Sequence, residues 1–386
     1  MRILVTYNLV GRGGDAVQVL EIARALQNLG HDIQLLGPTS LRPYDFSTTE
    51  GRLRNLARRL PWWAKDFIEL GLQRRLCRMV KRALAQEQFD LLFHRASIYD
   101  FIGARLAQMT TSPVIAHLDA PFAVERVFHG FGYFAFLHKH CMRRLGESVP
   151  LVVTVSRASK DYYVQLGIPE EKILVMPNGI SSELLKVSVK LAKVYPPFSD
   201  PRVCTIGFVG SLSRWHGMGL LLEAMRKLGA PGDSRWRVKI VGYGEEYAEL
   251  RAQAKRLGLD SCIEWLGALP HDRAFEEIAQ FDIAVLPNTL PTGAPMKLFE
   301  YAALARPIIA PDLPNVRERF NEDEMRFVSP QDPKGLAEAI LELAEAPAQA
   351  RMLGQRAQER VRNYTWEKIV QRILVAAGFC DDRNED

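Results

Sequence analysis

Lys297 and Glu300 stand three residues apart, directly after a loop rich in turn formers, Pro291-Thr292-Gly293-Ala294-Pro295-Met296. A spacing of three puts both charges on one helix face. An ammonium at the start of a helix suits a phosphate, because the helix N-terminus adds partial positive charge and unpaired amides. A carboxylate one turn on suits a ribose diol, each charge-assisted bond being worth about 1.5–3 kcal/mol. The same two residues could form a surface ion pair worth under about 1 kcal/mol. Their spacing leaves both readings open.

Two glycine turns earlier in this half carry the same theme. Gly207-Phe208-Val209-Gly210-Ser211 runs into Arg214-Trp215-His216-Gly217. A strand, a glycine turn and then basic residues make a diphosphate cradle, shaped by main chain and charged by Arg214 or His216. Val241-Gly242-Tyr243-Gly244-Glu245 is a second turn after a strand, where a phosphate or flat base could lie against the backbone. Each could equally be an ordinary strand-to-helix connection.

In the first half, Gly11-Arg12-Gly13-Gly14 follows a strand and opens a helix. A nicotinamide site would want an acid at the end of the next strand, but that strand ends Leu35-Leu36-Gly37-Pro38, which disfavours such a cofactor. His117-Leu118-Asp119-Ala120-Pro121 closes another strand, with Arg95 at the end of the strand before it and Glu125 just beyond. Polar groups at the carboxyl ends of α/β strands face a ligand crevice. A core histidine and a structural ion pair are the alternatives.

These residues need elements to hold them. Short apolar runs alternate with helical periodicity over 2–176: strands at Arg2–Tyr7, His31–Leu36, Leu91–Phe93, Val114–Ala116, Leu151–Val155 and Lys172–Met176, with a helix over Gly14–Leu29. The alternation restarts at Thr205–Val209 and ends in helices over about 333–343, 347–362 and 366–377. Strands alternating with helices imply parallel sheets covered on both faces. The division expected is residues 1–180 for acceptor binding, a linker at 181–202 rich in Ser, Lys and Pro, a donor-binding unit at 203–364, and a last helix, 365–386, packing back on the first unit. Ligand would occupy the crevice between the two.

At 386 residues, two domains are the natural expectation. A hydrophobic share of 47% and a charged share of 25% describe an ordinary globular chain, and no run is long and apolar enough to span a membrane. The opening run reads as a first strand, not a leader. Five scattered cysteines without a CxxC pair argue against a disulfide framework or zinc, and for a reducing, cytoplasmic compartment. Residues 51–85 (Arg52, Arg54, Arg58, Arg59, Lys65, Arg74, Arg75, Arg78, Lys81 and Arg82 around Trp62-Trp63) and 127–144 (Phe128, Phe131, Tyr133, Phe134 and Phe136 beside Lys139, Arg143 and Arg144) are basic and aromatic. They read as faces for an anionic membrane surface at its inner side, or as ordinary solvated helix faces. No nucleic-acid motif accompanies them.

Taken in order, the set resembles a retaining glycosyltransferase of the GT-B fold, family 4. Gly13-Gly14, Arg95, His117 to Pro121, Glu125, Pro177-Asn178-Gly179, Phe208 to Ser211, Trp215-His216-Gly217 and Met296 to Tyr301 carry the likeness. The resemblance implies two Rossmann-like doubly wound domains and transfer of a hexose-type sugar from a UDP- or GDP-linked donor to a hydroxyl, in polysaccharide or glycolipid synthesis. It assigns Asp119, His117 and Lys297 to catalysis. It assigns Gly210, Ser211, Arg214, His216, Gly242, Tyr243, Gly267, Thr292, Gly293, Ala294, Pro295, Met296 and Glu300 to the donor. Gly13, Gly14, Arg95 and Glu125 go to the acceptor or a phosphate loop. Thr292 stands where many members have a first glutamate, and Ser181 where an aspartate commonly follows the hinge. No Asp-x-Asp loop is present to hold magnesium, and Glu322-Asp323-Glu324 reads as a solvated loop; no metal or cofactor is expected. A silent nucleotide-sugar-binding protein or an epimerase is the alternative.

Overall fold

The structure, a computed structural model, describes residues 1–8, 14–38, 41, 61–128 and 132–379. Gly11, Arg12, Gly13, the arginines of 51–60, Phe131 and Cys380 lie outside them, as do the side chains of Trp62 and Lys65. The chain divides into two compact units. Unit 1 holds Met1–Asn178, Thr292–Ala294 and Trp366–Asp386; unit 2 holds Gly179–Pro291 and Pro295–Thr365.

Unit 1 is built on a parallel sheet of β1 (Arg2–Tyr7), β2 (Asp32–Leu36), β3 (Leu91–Arg95), β4 (Val114–Leu118), β5 (Leu151–Thr154) and β6 (Ile173–Val175), in the order β2-β1-β3-β4-β5-β6. Its helices are α1 (Gly14–Asn28), α2 (Trp62–Gln86), α3 (Ile102–Met109), α4 (Phe122–Phe128), α5 (Ala135–Ser148) and α6 (Arg157–Gln165). Every residue of β3 and β4 is buried, as a sheet covered on both faces requires. The polar exceptions in those strands, His94, Arg95 and His117, fall near their carboxyl ends. The last helix, Trp366–Ala376, packs on α1.

Unit 2 opens with α7 (Ser182–Val194), so the stretch expected as a linker is in good part helical. Ser181 caps it, its hydroxyl accepting the Leu184 amide at 3.1 Å. Then come β7 (Cys204–Val209), α8 (Met218–Lys227), β8 (Trp236–Val241), α9 (Tyr247–Arg256), β9 (Ile263–Gly267), α10 (His271–Ile278), β10 (Ile283–Val285), α11 (Met296–Ala303), β11 (Ile308–Pro311), α12 (Pro314–Arg317), β12 (Arg326–Val328), α13 (Pro333–Glu345) and α14 (Pro347–Val361). The parallel strands lie in the order β12-β11-β10-β7-β8-β9. Glu324, expected on a solvated loop, is instead buried and accepts the Asn321 amide at 3.0 Å.

Strand order reverses once in each sheet, between β1 and β3 in unit 1 and between β7 and β10 in unit 2. Neighbouring loops diverge to opposite faces there, leaving a crevice at the carboxyl edge where ligands bind in this fold class.

Candidate functional site

At the switch point of unit 2, Lys297 meets uncharged partners. Lys297 lies in the first turn of α11, the helix that follows β10. Its Nζ is 2.8 Å from His216 Nε2 and 4.5 Å from the centre of the Phe208 ring. His216 closes the short 3-10 turn Arg214–His216, and its Nδ1 is 2.6 Å from the Ser211 carbonyl. A carbonyl only accepts, so the proton is assigned to Nδ1 and Nε2 becomes the acceptor. Nε2 then receives the Trp215 indole N–H at 3.2 Å and the Lys297 ammonium.

Burial, with Lys297 beside it, holds His216 neutral, well below the ordinary histidine range. The expectation that His216 supplies charge is therefore corrected: it orients Lys297. Desolvation brings Lys297 down to about 7, against the opposing pull of Glu300. No carboxylate pairs with Lys297 among the described residues.

Glycine is required around it. Gly210 has φ 147°, and a Cβ there would stand 2.5 Å from the Lys297 Nζ. Gly242 has φ 140°, and its Cβ would come within 1.8 Å of the Gly210 carbonyl oxygen. The main chains thus meet where no side chain fits, and the Gly242 amide donates to the Gly267 carbonyl at 2.7 Å. The Val209 amide donates to the buried Tyr301 hydroxyl at 2.9 Å, fixing α11 against β7.

Glu300 accepts a bond from His271 Nε2 at 2.7 Å, a partner at the start of α10 that sequence reasoning missed. Arg214, Ser211 and Tyr243 are exposed, and Pro295 and Met296 half-buried. Tyr243 lies against Tyr247, ring centres 4.8 Å apart.

Thr292, Gly293 and Ala294 do not group with Lys297; they group with unit 1. There the Ser156 and Ser159 hydroxyls donate to the Thr292 carbonyl at 2.8 and 2.7 Å, and Asn178 donates to that of Ala294 at 2.7 Å. The Thr292 hydroxyl is buried and unpartnered.

The switch point of unit 1 gathers carboxyl groups around a guanidinium. Arg95, at the end of β3, is almost fully buried; its Nη2 donates to Asp119 at 3.1 Å and its guanidinium lies 5.2 Å from the Phe122 ring. Asp15, in the first turn of α1, and Glu125, in the first turn of α4, act on the same group of charges. Burial, reinforced by Asp119, pushes Glu125 up to about 8, with Arg95 opposing. Burial also raises Asp15, again against Arg95.

His117 pairs in register with Arg95 on the adjacent strand. Burial and then Arg95 hold it neutral, and its Nδ1 has no partner. Tyr163 donates its hydroxyl to the Asp119 carbonyl at 3.1 Å. Gly14 opens α1 beside Asp15 and is exposed. Among the described residues no group of three or more His, Cys, Asp or Glu could hold a metal ion.

Residues 12–184 match Glycosyltransferase Family 4 and residues 203–346 match Glycosyl transferases group 1. The amylovoran biosynthesis glycosyltransferase AmsK of Erwinia amylovora is 26% identical over 55% of this chain; the match spans only 51% of that protein. The phosphatidyl-myo-inositol mannosyltransferase of Mycolicibacterium smegmatis is 25% identical over 94% of this chain and 89% of its own. Among solved structures, HepE of Anabaena, in complex with UDP, superposes with a TM-score of 0.72 at 18% identity, covering 98% of this chain and 100% of that one. Sucrose-phosphate synthase of Thermosynechococcus elongatus gives 0.73 at 17% identity, covering 98% of each. These structural likenesses are of fold.

Proposed function

We propose, from the premise that the chain belongs to the family 4 type of GT-B glycosyltransferases, that it moves a hexose-type sugar from a UDP- or GDP-linked donor to a hydroxyl, with retention of anomeric configuration. The acceptor is a glycan, a glycolipid or a small molecule. The observation that carries the reading is Lys297: a desolvated amine with no carboxylate partner among the described residues, beside main chain that only glycine permits, at the switch point of unit 2.

Such a site is poorly matched to itself and well matched to a diphosphate. As the glycosidic bond breaks, negative charge grows on the leaving phosphate. Lys297, the N-terminus of α11 and exposed Arg214 would stabilise it, in surroundings already ordered before reaction. Glu300, half-open beside His271, would accept from the ribose diol. In unit 1 Asp119 keeps lone pairs beyond its bond to Arg95, and these would receive the acceptor hydroxyl's proton donation. His117 offers a neutral polar edge and Arg95 holds Asp119 in place. We assign the leaving-group charge to these residues, so no step needs a metal. The basic faces of α2 and α5 would bring the enzyme to an anionic membrane surface; no described helix is long and apolar enough to cross a membrane.

Incubation with UDP- and GDP-hexoses, with and without candidate hydroxyl acceptors, tests this by the release of nucleoside diphosphate. Release that requires acceptor, unaffected by a chelator, is the expected result. Tight binding with no acceptor-dependent release would reduce the chain to a nucleotide-sugar-binding protein.

A further inference from the structure

Unit 1 contains a cavity of about 490 Å³ on its helical side, formed by α2, α3 and α5. Arg74, Arg105, Arg144 and His140 line it, together with Leu70 and Phe101. None of the three arginines is paired with a carboxylate among the described residues. The nearest acid in the lining, Asp100, is already committed to His94 at 2.7 Å and to the Ser97 and Gly103 amides. All three arginines are exposed, and they line one concave surface whose own acid offers them no free counter-charge. Such an arrangement is relieved by an anion with several acceptor oxygens, and planar guanidinium forks fit phosphate.

A second set of residues extends this lining along the two helices. On α2, Trp63, Phe67, Leu70, Arg74 and Cys77 recur at spacings of three and four, so they form one stripe. On α5, Phe136, His140 and Arg144 recur at four. Both helices share one partner near their N-terminal ends: the Tyr99 hydroxyl donates to Asp66 on α2 at 2.9 Å and accepts the Phe134 amide at the start of α5 at 2.8 Å. Each stripe therefore runs from aromatic residues near that end to arginine in the cavity. The aromatics are open to solvent: Trp63 is 50%, Phe67 62% and Phe136 87% exposed. A soluble phosphate would make no use of them.

We propose that this cavity binds the phosphate headgroup of an anionic membrane phospholipid, with Arg74, Arg105 and Arg144 on the phosphate and Trp63, Phe67 and Phe136 set into the interfacial layer. The proposal deepens the membrane-surface reading. It turns a diffuse attraction between basic helices and an acidic surface into one seated lipid.

Charge-conserving substitutions separate the two. Arg105→Lys with Arg144→Lys keeps net charge but removes the planar forks. Arg78→Lys with Arg82→Lys makes the same change on α2 outside the cavity. Binding is read by co-sedimentation with vesicles of phosphatidylcholine alone or of equal parts phosphatidylcholine and phosphatidylglycerol. The seated-lipid account predicts binding to the mixed vesicles, weakened about tenfold or more in the cavity variant and unchanged in the other. Equal binding by both variants would overturn the site while leaving diffuse membrane attraction standing. Wild-type protein that ignores both vesicles, or inorganic phosphate that binds the cavity while vesicles are ignored, would overturn the lipid assignment. Acceptor-dependent release of nucleoside diphosphate, measured on the same variants, reports separately whether the transferase reading holds. Unchanged thermal unfolding shows that the variants are folded.

Discussion

Among the described residues, the ammonium of Lys297 meets neutral partners at the switch point of unit 2, and the guanidinium of Arg95 faces Asp119, Glu125 and Asp15 at that of unit 1. The sheets beneath are alike in strand number and direction, and they reverse order in the same way. Fold therefore fixes where a site lies, and the residues just past the strand ends fix which charged groups meet there. Both sites hold a group near its titration point in the physiological range, for one reason. Burial disfavours whichever form is charged, lowering the amine and raising the acid. One site is short of negative charge and the other has a proton to spare, and the proposed division into a diphosphate-binding and a hydroxyl-binding pocket rests on that contrast.

The larger of two pH effects tests the unit 2 half of that contrast. Lys297 titrates at about 7 in the fold, and a bound diphosphate would raise it. Below pH 7 the ammonium is present before ligand arrives; above it, binding must take up a proton. Affinity for a UDP- or GDP-sugar, whose diphosphate has no group titrating there, should fall by about tenfold per pH unit above 7 until the bound-state value is reached. Calorimetry in buffers of different ionisation enthalpy should show the proton uptake, and Lys297→Met should abolish the slope. A flat profile in the wild type would mean that the amine does not meet the diphosphate.

The smaller effect belongs to unit 1. Glu125 titrates near 8 in the fold, above its ordinary 4.5. Its raised value contributes stability that is fully present below 4.5 and lost as pH rises through 8. The thermal midpoint should decline across that window, and Glu125→Gln should flatten the decline. An identical decline in the variant would place the pH dependence elsewhere.

Much of the fold was legible because parallel strands buried on both faces read as apolar runs. The strands of unit 1, and β7 in unit 2, fall within a residue or two of their expected bounds; β12, Arg326–Val328, is three residues long, too short for periodicity to mark. The helix α7 was hidden by a Ser- and Lys-rich composition, although Ser181 is a readable cap. At the site, Lys297, Glu300 and the glycines could be picked out because their types and turns imply chemistry. His271 could not, since its partner lies 29 residues away on another helix. Nor could the neutrality of His216, which depends on which carbonyl its ring meets. Thr292 read as part of the donor set through its place in the chain, whereas hydroxyls of Ser156 and Ser159, remote in sequence, hold its main chain.

The central claim, that unit 2 binds the donor's diphosphate through Lys297 while unit 1 handles the acceptor, is tested most directly by titrating one sugar nucleotide into Lys297→Ala and Asp119→Asn side by side at pH 7. The lysine variant should lose affinity by about 10- to 100-fold, the worth of a charge-assisted bond. The aspartate variant should bind within about twofold of wild type while its transfer rate falls by about 10²-fold or more. Equal losses of affinity in the two variants, or none in Lys297→Ala, would contradict the account.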